Sequence, residues 1–464
     1  MNALQQDLRR LVPLVEDLGA ARAAADPHRQ HFHIQPPVGW LNDPNGLCKA
    51  GDTYHVFYQY GPFDPNGGVK CWGHVTSTDL LHWRQEPVML YPDQPYDCHG
   101  VYSGSALWED GTLWLFFTGN VKREGRYDYV TAGRENNLCL ATSRDGRTAE
   151  TNECLLYNAG YPAGLSCHVR DPKVWAQDGR YYMALGARTL GDRGEVLIFE
   201  SADKRHWRAI NTLTTDAPFG YMWECPDLFA LDGQWYLLVS PQGIECQNRY
   251  GCGYFPLYGD FRGEYTLGAF HPLDGGFDYY APQSFLDGDR RLQFGWMGMP
   301  DAPYTNPTTA CGWQHCLTVP RVLTRGADGA LLQNPAPELA ALRGAPAALA
   351  EGQTAAFGPC FALEAAPQQS FRLTIAGGVA LAYDETDRTV RLCFTDPALS
   401  GGRTARHLAL DAPCRSVQVL ADASSLEIFL NGGAAVLTTR YYPAPGPVAL
   451  CMQGAPATVW PLSL

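Results

Sequence analysis

Residues 110–118, DGTLWLFFT, decide the fold: an Asp-Gly pair leads straight into an unbroken apolar and aromatic run. Asp-Gly between β-rich flanks marks a tight hairpin, because glycine takes positive φ without steric cost. The arrangement recurs as AGDTYHVFYQY at 50–60, DGRYYMALGA at 178–187, DGQWYLLVSP at 232–241 and DGDRRLQFGWM at 287–297. The glycines, Gly51, Gly111, Gly179, Gly233 and Gly288, are 60, 68, 54 and 55 residues apart. Each interval holds one four-stranded antiparallel unit with its loops. A weaker repeat lies farther along three units: Ser77-Thr78-Asp79 with Trp83, Ser143-Arg144-Asp145, and Ser201-Ala202-Asp203 with Trp207. Five copies over residues 31–330 read as a five-bladed β-propeller in an all-β chain.

Composition agrees with that reading. The 464 residues include 48 Gly and 34 Pro, which fits a turn-rich β protein rather than a helical bundle. A net charge of −13 argues against a nucleic-acid partner. No apolar run reaches the ~18 residues of a membrane span, and the first 25 residues lack the apolar core of a signal peptide. The 15 cysteines form no C-x-x-C pair and mostly sit in apolar runs, as reduced cysteines of a cytoplasmic protein do. Leu4, Leu8, Leu11, Val15 and Leu18 fall at helical spacing, with Pro13 as a kink, so residues 1–30 are expected to hold a short helix packed on the main domain. Residues 331–345, with Pro335 and Pro337, read as a linker ending in a short helix. From 346 to 464, segments such as FRLTIAGGVALAYD and LEIFLNGGAAVLTTRYY alternate like strands and predict a β-sandwich of two antiparallel sheets.

The chemistry-bearing residues sit upstream of the glycine turns. Asp43, Ser103, Asp171 and Tyr280 each lie 8 residues before their glycine, and Glu224 lies 9 before Gly233. If the units surround one axis, three carboxylates meet there with a Ser and a Tyr. Converging carboxylates serve metal binding or glycoside cleavage, in which one acts as nucleophile or base and another as proton donor. Trp40, Trp72, Tyr102, Trp223, Tyr280 and Trp296 nearby favour a sugar. Arg170 beside Asp171 is expected to keep that carboxyl ionised. Glu224, between Trp223 and Cys225, stands in apolar company suited to a carboxyl that must hold a proton.

The motifs HIQPPVGWLNDPNG (33–46), FYQYGPFDP (57–65), WGHVTSTDLLHW (72–83), YSGSALWEDG (102–111), RDPKVW (170–175), WECPDLF (223–229) and FDYYAPQSF (277–285) run in order along the chain. With FGWM (294–297), GWQHCLTVPRVL (312–323) and SSLEIFLNGG (424–433), they resemble glycoside hydrolase family 32, the β-fructofuranosidases. The resemblance implies a propeller followed by a sandwich, and retaining cleavage of terminal β-D-fructofuranosides such as sucrose or its 6-phosphate. It implies Asp43 as nucleophile, Glu224 as acid/base and Asp171 as stabiliser of the transition state. It places Asn42, Gln59, Trp72, Ser103, Arg170, Tyr280 and Trp296 around the fructose, and it implies no metal or cofactor. The partner is then a small sugar, with neither nucleic acid nor membrane, and the sandwich is the expected surface for any homo-oligomer. Fructan exo-hydrolysis, fructosyl transfer, an inverting furanosidase and a non-catalytic sugar-binding propeller are the alternatives. The loop from Asp64 to Lys70 lacks a Trp found in some relatives, which leaves the leaving-group side open. Lys70, Arg123 and Arg126 are the basic candidates for a phosphate, and Glu427 reads as structural.

Overall fold

All five glycine turns take the left-handed conformation the sequence demands, with φ of +60° at Gly51, +70° at Gly111, +71° at Gly179, +77° at Gly233 and +61° at Gly288. At three of them the preceding Asp is left-handed too, at Asp110, Asp178 and Asp232, as a two-residue hairpin turn of the primed type requires. A computed structural model of the chain describes residues 3–464. In it, each turn joins the first two strands of an antiparallel sheet. The first strands are Gly39–Ala50, Val101–Glu109, Leu165–Gln177, Met222–Leu231 and Tyr280–Asp287. Each sheet has four or five strands. The weaker repeat is a capped turn at the far side of three sheets, where the hydroxyls of Ser77, Ser143 and Ser201 donate to Asp79, Asp145 and Asp203.

Every first strand bulges at the residues singled out above. Pairing with the second strand skips between Leu41 and Pro44, Tyr102 and Gly104, Arg170 and Lys173, Glu224 and Asp227, and Tyr280 and Gln283. Four of these bulges carry a proline, Pro44, Pro172, Pro226 or Pro282, which has no N–H to lose to the ladder. Asp171, Cys225 and Ala281, each just before its proline, are left-handed, with φ of +67°, +47° and +49°. A bulge re-aims the side chains beside it. Aligned on the prolines, Glu224 and Tyr280 occupy the position of Arg170, and Cys225 and Ala281 that of Asp171. The offset of one residue at Glu224 is thus a real shift of position.

The first strand of each sheet packs against that of the next, and the fifth against the first, so the five first strands stand in a ring. Trp313–Gln314 pairs parallel with Gly39–Trp40 and ties the end of this region to its beginning. The N-terminal helix, Ala3–Ala24, is longer than expected and runs through Pro13. Of the stripe read from the sequence, Leu8 and Val15 pack on the body while Leu4, Leu11 and Leu18 are exposed. Leu8, Val12 and Ala23 face the body, and Gly19 permits close approach because a Cβ there would meet Val38 Cγ1 at 2.6 Å. The Glu16 carboxylate adds a hydrogen bond from Tyr60 Oη at 2.8 Å. No helix among the described residues is long and apolar enough to cross a membrane.

Residues 331–335, read as the start of a linker, are instead a strand of the fifth sheet. Leu331 is buried there, and the pairing with Arg321–Arg325 outweighs the local proline signal. A 3₁₀ turn at Pro337–Leu342 follows. Beyond it two six-stranded antiparallel sheets share one apolar core. They meet the N-terminal region through a buried charged cluster. His33 bridges Asp422 (2.8 Å) and Glu427 (3.0 Å), and Glu427 also accepts from the Val319 N–H and from Arg321 Nε and Nη2 at 2.8, 3.0 and 2.6 Å. Burial opposes charge on His33, but the two carboxylates outweigh it and push the imidazole up to about 9. The stability it contributes is complete below its ordinary value of 6.5 and is lost as pH rises through about 9. Glu427→Ala strands Arg321 and His33 and is expected to cost about 3–5 kcal/mol in denaturant unfolding at pH 7; a loss below about 1 kcal/mol would remove the cluster from any structural role.

Candidate active site

The ring of first strands encloses a cavity of about 420 Å³ lined by Trp40, Asn42, Asp43, Gln59, Tyr102, Arg170, Asp171, Glu224, Tyr280 and Trp296, among others. The three carboxylates predicted from spacing therefore meet in one pocket. Asp43 is held from several sides. Its Oδ2 accepts from Ser103 Oγ at 2.5 Å and from Gln59 Nε2 at 3.2 Å, and Gln59 also donates to Ser103. Its Oδ1 accepts from Asn42 Nδ2 at 3.1 Å, and the Asn42 oxygen in turn accepts from Trp40 Nε1 at 2.7 Å. These donors leave the carboxylate one orientation. Burial raises its proton affinity, the Ser103 and Asn42 hydrogen bonds oppose that, and the charge of Glu224 adds to it.

Glu224 sits in polar surroundings, contrary to the reading from its chain neighbours. Trp223 packs into the apolar core, and the bulge that turns Cys225 toward the axis sets its Sγ 3.6 Å from Asp43 Oδ2 and leaves Glu224 to polar partners. Its Oε1 accepts from Arg170 Nε and Nη2 at 3.2 and 2.5 Å, and its Oε2 from Tyr280 Oη and Gln242 Nε2 at 2.6 and 2.7 Å. Arg170 thus engages Glu224 more closely than Asp171, whose Oδ2 is 3.9 Å from Nε. Burial works against the guanidinium charge, but Glu224 and Asp171 hold it more firmly protonated than usual. Arg170 Nη1 also donates to His168 Nδ1 at 2.7 Å, while His168 Nε2 faces the Tyr129 carbonyl at 3.0 Å. Burial, then Arg170 and Arg134, push His168 far down, so it is neutral, accepting at Nδ1 and donating at Nε2.

Asp171 takes an N–H from Cys225 on its Oδ2 at 2.9 Å, and its own N–H donates to Thr118 Oγ1 at 2.9 Å. The expectation that Arg170 keeps it ionised is not met. Burial raises its proton affinity well above the ordinary carboxylate range, Arg170 only partly offsets this, and Glu224 adds to it. Two of the expected contact residues lie behind the pocket wall. Trp72 is fully buried and donates Nε1 to the Tyr102 carbonyl at 3.0 Å, and Ser103 is turned toward Asp43.

Four functional side chains escaped the sequence reading or were only half seen. His168 and Gln242 set Arg170 and Glu224; His168 alternates with Arg170 on one strand face, a period-two signal that was available. Arg134, the first residue of the strand Arg134–Ser143, lines the cavity with its Nε buried and unpaired. Lys70 also lines it, its Nζ 4.7 Å over the Trp40 ring, and burial lowers it to about 7 against the attraction of Asp43. The other two basic candidates fall outside the lining, and Arg123 pairs with Glu135 on the surface.

Residues 33–335 match the model of the glycosyl hydrolases family 32 N-terminal domain, and 349–455 that of the family 32 C terminal. The chain belongs to glycosyl hydrolase family 32. A sucrose-6-phosphate hydrolase of Bacillus subtilis is 40% identical over 470 residues, 96% of this chain and 95% of that protein. Among solved structures, a sucrose-6-phosphate hydrolase from Lactobacillus gasseri superposes with a TM-score of 0.88 at 28% identity, covering 97% of this chain and 96% of that one. A family 32 β-fructofuranosidase variant of Bombyx mori in complex with sucrose superposes at 0.86 with 28% identity, covering 98% of each chain.

In this family 32 chain, one guanidinium offsets three clustered carboxyls. Arg170→Met removes the charge and keeps the length. The Asp171 carboxyl, already raised, then rises further above its unfolded value, so the deficit grows with pH. Denaturant unfolding should show a loss of about 3–5 kcal/mol at pH 7.5, less than half of it at pH 5. A deficit independent of pH would contradict the charge-balance reading.

Proposed function

We propose that the protein is a retaining β-fructofuranosidase that hydrolyses sucrose 6-phosphate in preference to sucrose. The observation that carries the reading is the pairing of Asp43, oriented by Ser103, Gln59 and Asn42, with Glu224, oriented by Tyr280 and Gln242, across one aromatic-walled pocket. In the first step an Asp43 oxygen attacks the anomeric carbon of the fructosyl unit. The bond to the glycosidic oxygen breaks as that oxygen takes the Glu224 proton, and the glucosyl product leaves. In the second step Glu224 takes a proton from water, whose oxygen attacks the same carbon and frees Asp43. Asp171 binds fructose hydroxyls and supports the positive charge at the ring oxygen. Hydroxyls between Arg170 and Glu224 compete for the guanidinium and free the acid to reach its target oxygen. The ring of five sheets serves as a five-bladed propeller over residues 31–335, and the six-stranded pair as a sandwich over 346–464.

The 6-phosphate is favoured by two cations of the pocket lining, Lys70, which feels the charge of Asp43, and Arg134, which feels those of Arg170 and Glu224. Neither makes an ion pair among the described residues, so each has charge to give a dianion. The Bacillus subtilis and Lactobacillus gasseri relatives described above are sucrose-6-phosphate hydrolases by name.

Asp43→Ala should fold and lose about 10⁴-fold or more in kcat; near-normal turnover by the folded variant would end the nucleophile assignment. Lys70→Met should lower kcat/KM for sucrose 6-phosphate by about 10–100-fold, the worth of one charged hydrogen bond, with sucrose changed far less. Because Lys70 loses its proton near 7, wild-type kcat/KM on the phosphorylated sugar should fall as pH rises through about 7. Equal effects on both sugars would refute the phosphate role.

A further inference from the structure

Both donors to Glu224 Oε2 stand next to segments fastened to the C-terminal sheet pair. Gln242 ends a strand, and the loop 243–252 that follows reaches the edge strand Ala405–Ala409 of that pair. There Gln247 forms a two-point clasp with the backbone of His407, donating Nε2 to its carbonyl at 2.5 Å and accepting its N–H at 2.8 Å. Asn248 Oδ1 accepts from Arg406 Nε and Nη2 at 3.0 and 2.5 Å. Asn248 Nδ2 donates to the Gly276 carbonyl at 2.8 Å, on the segment that leads into Tyr280. The Arg406 guanidinium, itself buried, lies over the Phe277 ring at 3.8 Å. Two residues before Tyr280, Asp278 receives both arms of Arg403 at 2.7 Å. The far end of the loop returns at Tyr250, whose ring packs 6.1 Å from that of Tyr280 and whose hydroxyl reaches Asp301 at the pocket wall.

The arrangement is more than a generic domain contact. Asn248 stitches together the loop carrying Gln242, the segment carrying Tyr280 and a C-terminal arginine. On the nucleophile side the tie to the sheet pair at His33 lies ten residues before Asp43, and Asp43 itself takes its hydrogen bonds from Asn42, Gln59, Ser103 and Cys225 Sγ, with none from the C-terminal pair. We infer that Arg406 and Asn248 are positioning residues for the acid/base carboxyl, and that the C-terminal sheet pair sets the geometry of proton donation while leaving nucleophilic attack alone. This rests on the acid/base reading of Glu224.

That asymmetry is measurable. Protonation of the leaving group matters for sucrose, whose leaving alcohol is poor, and little for a 4-nitrophenyl β-D-fructofuranoside. Arg406→Ala and Asn248→Ala should each lower kcat on sucrose by about 10-fold, as displacement of a catalytic group by a fraction of an ångström does. KM for sucrose should change little, and the nitrophenyl substrate should keep at least half its kcat/KM, which reports ester formation and not the hydrolysis step that Glu224 also serves. The double variant should lose no more than the worse single, since both act through one link. Arg406→Lys, which restores one donor, should recover part of the loss. Asn248→Ala leaves the charged core intact and carries the test should Arg406→Ala fold poorly. Glu224→Gln, run in parallel, separates the two readings: if it lowers kcat/KM on both substrates equally, the acid/base assignment fails. If it spares kcat/KM on the nitrophenyl substrate while folded Arg406→Ala and Asn248→Ala lower kcat/KM on both substrates alike or on neither, the positioning role is overturned.

Discussion

The guanidinium of Arg170, buried beside Asp171 and Glu224 and steadied by neutral His168, is the interaction on which the pocket depends. Three carboxyl groups in about 420 Å³ repel one another, and burial makes each charge more costly. One permanent cation at the centre lets the cluster persist and sorts the carboxyls. Glu224 takes the close contact. Asp171 is left with one N–H from Cys225 and a raised proton affinity. Asp43 lies beyond the reach of Arg170 and relies on neutral donors, so no cation is clamped on its attacking oxygen.

The backbone makes that cluster possible. A regular strand would send Arg170 and Asp171 to opposite faces. The bulge between Arg170 and Lys173, with Asp171 left-handed ahead of Pro172, turns both toward the axis. The same device recurs before Pro226 and Pro282, where the residue one place earlier, Glu224 or Tyr280, lines the pocket. Such backbone conformations cost roughly 1–3 kcal/mol each, and the ring of packed strands and the second sheet beyond them hold them in place.

Much of this was legible in the residues. The Asp-Gly turns dictated the sheets, since only a few residue types accept those φ values, and the count back from each glycine found the carboxylates. What the count could not show was partnership. Arg170 and Asp171 are adjacent in sequence, yet the arginine reaches 54 residues onward to Glu224. Glu224 has apolar chain neighbours but polar spatial ones, because its partners Arg170, Gln242 and Tyr280 come from other strands. Lys70 comes from a loop and Arg134 from the first position of a third strand, and no periodicity records either approach to the pocket. The helix misled for a related reason: Leu4, Leu11 and Leu18 make the more hydrophobic stripe, while the buried face is set by Gly19 and the small Ala23 lying close against the body.

The central claim is that Asp43 attacks the sugar and Glu224 manages the proton. Glu224→Gln, given a 4-nitrophenyl β-D-fructofuranoside and quenched in acid, should form the fructosyl ester quickly and hydrolyse it slowly. Peptide mass spectrometry should then find one fructosyl unit on the peptide bearing Asp43. An adduct on Asp171, or the absence of any adduct while nitrophenol is released in a burst, would contradict the account.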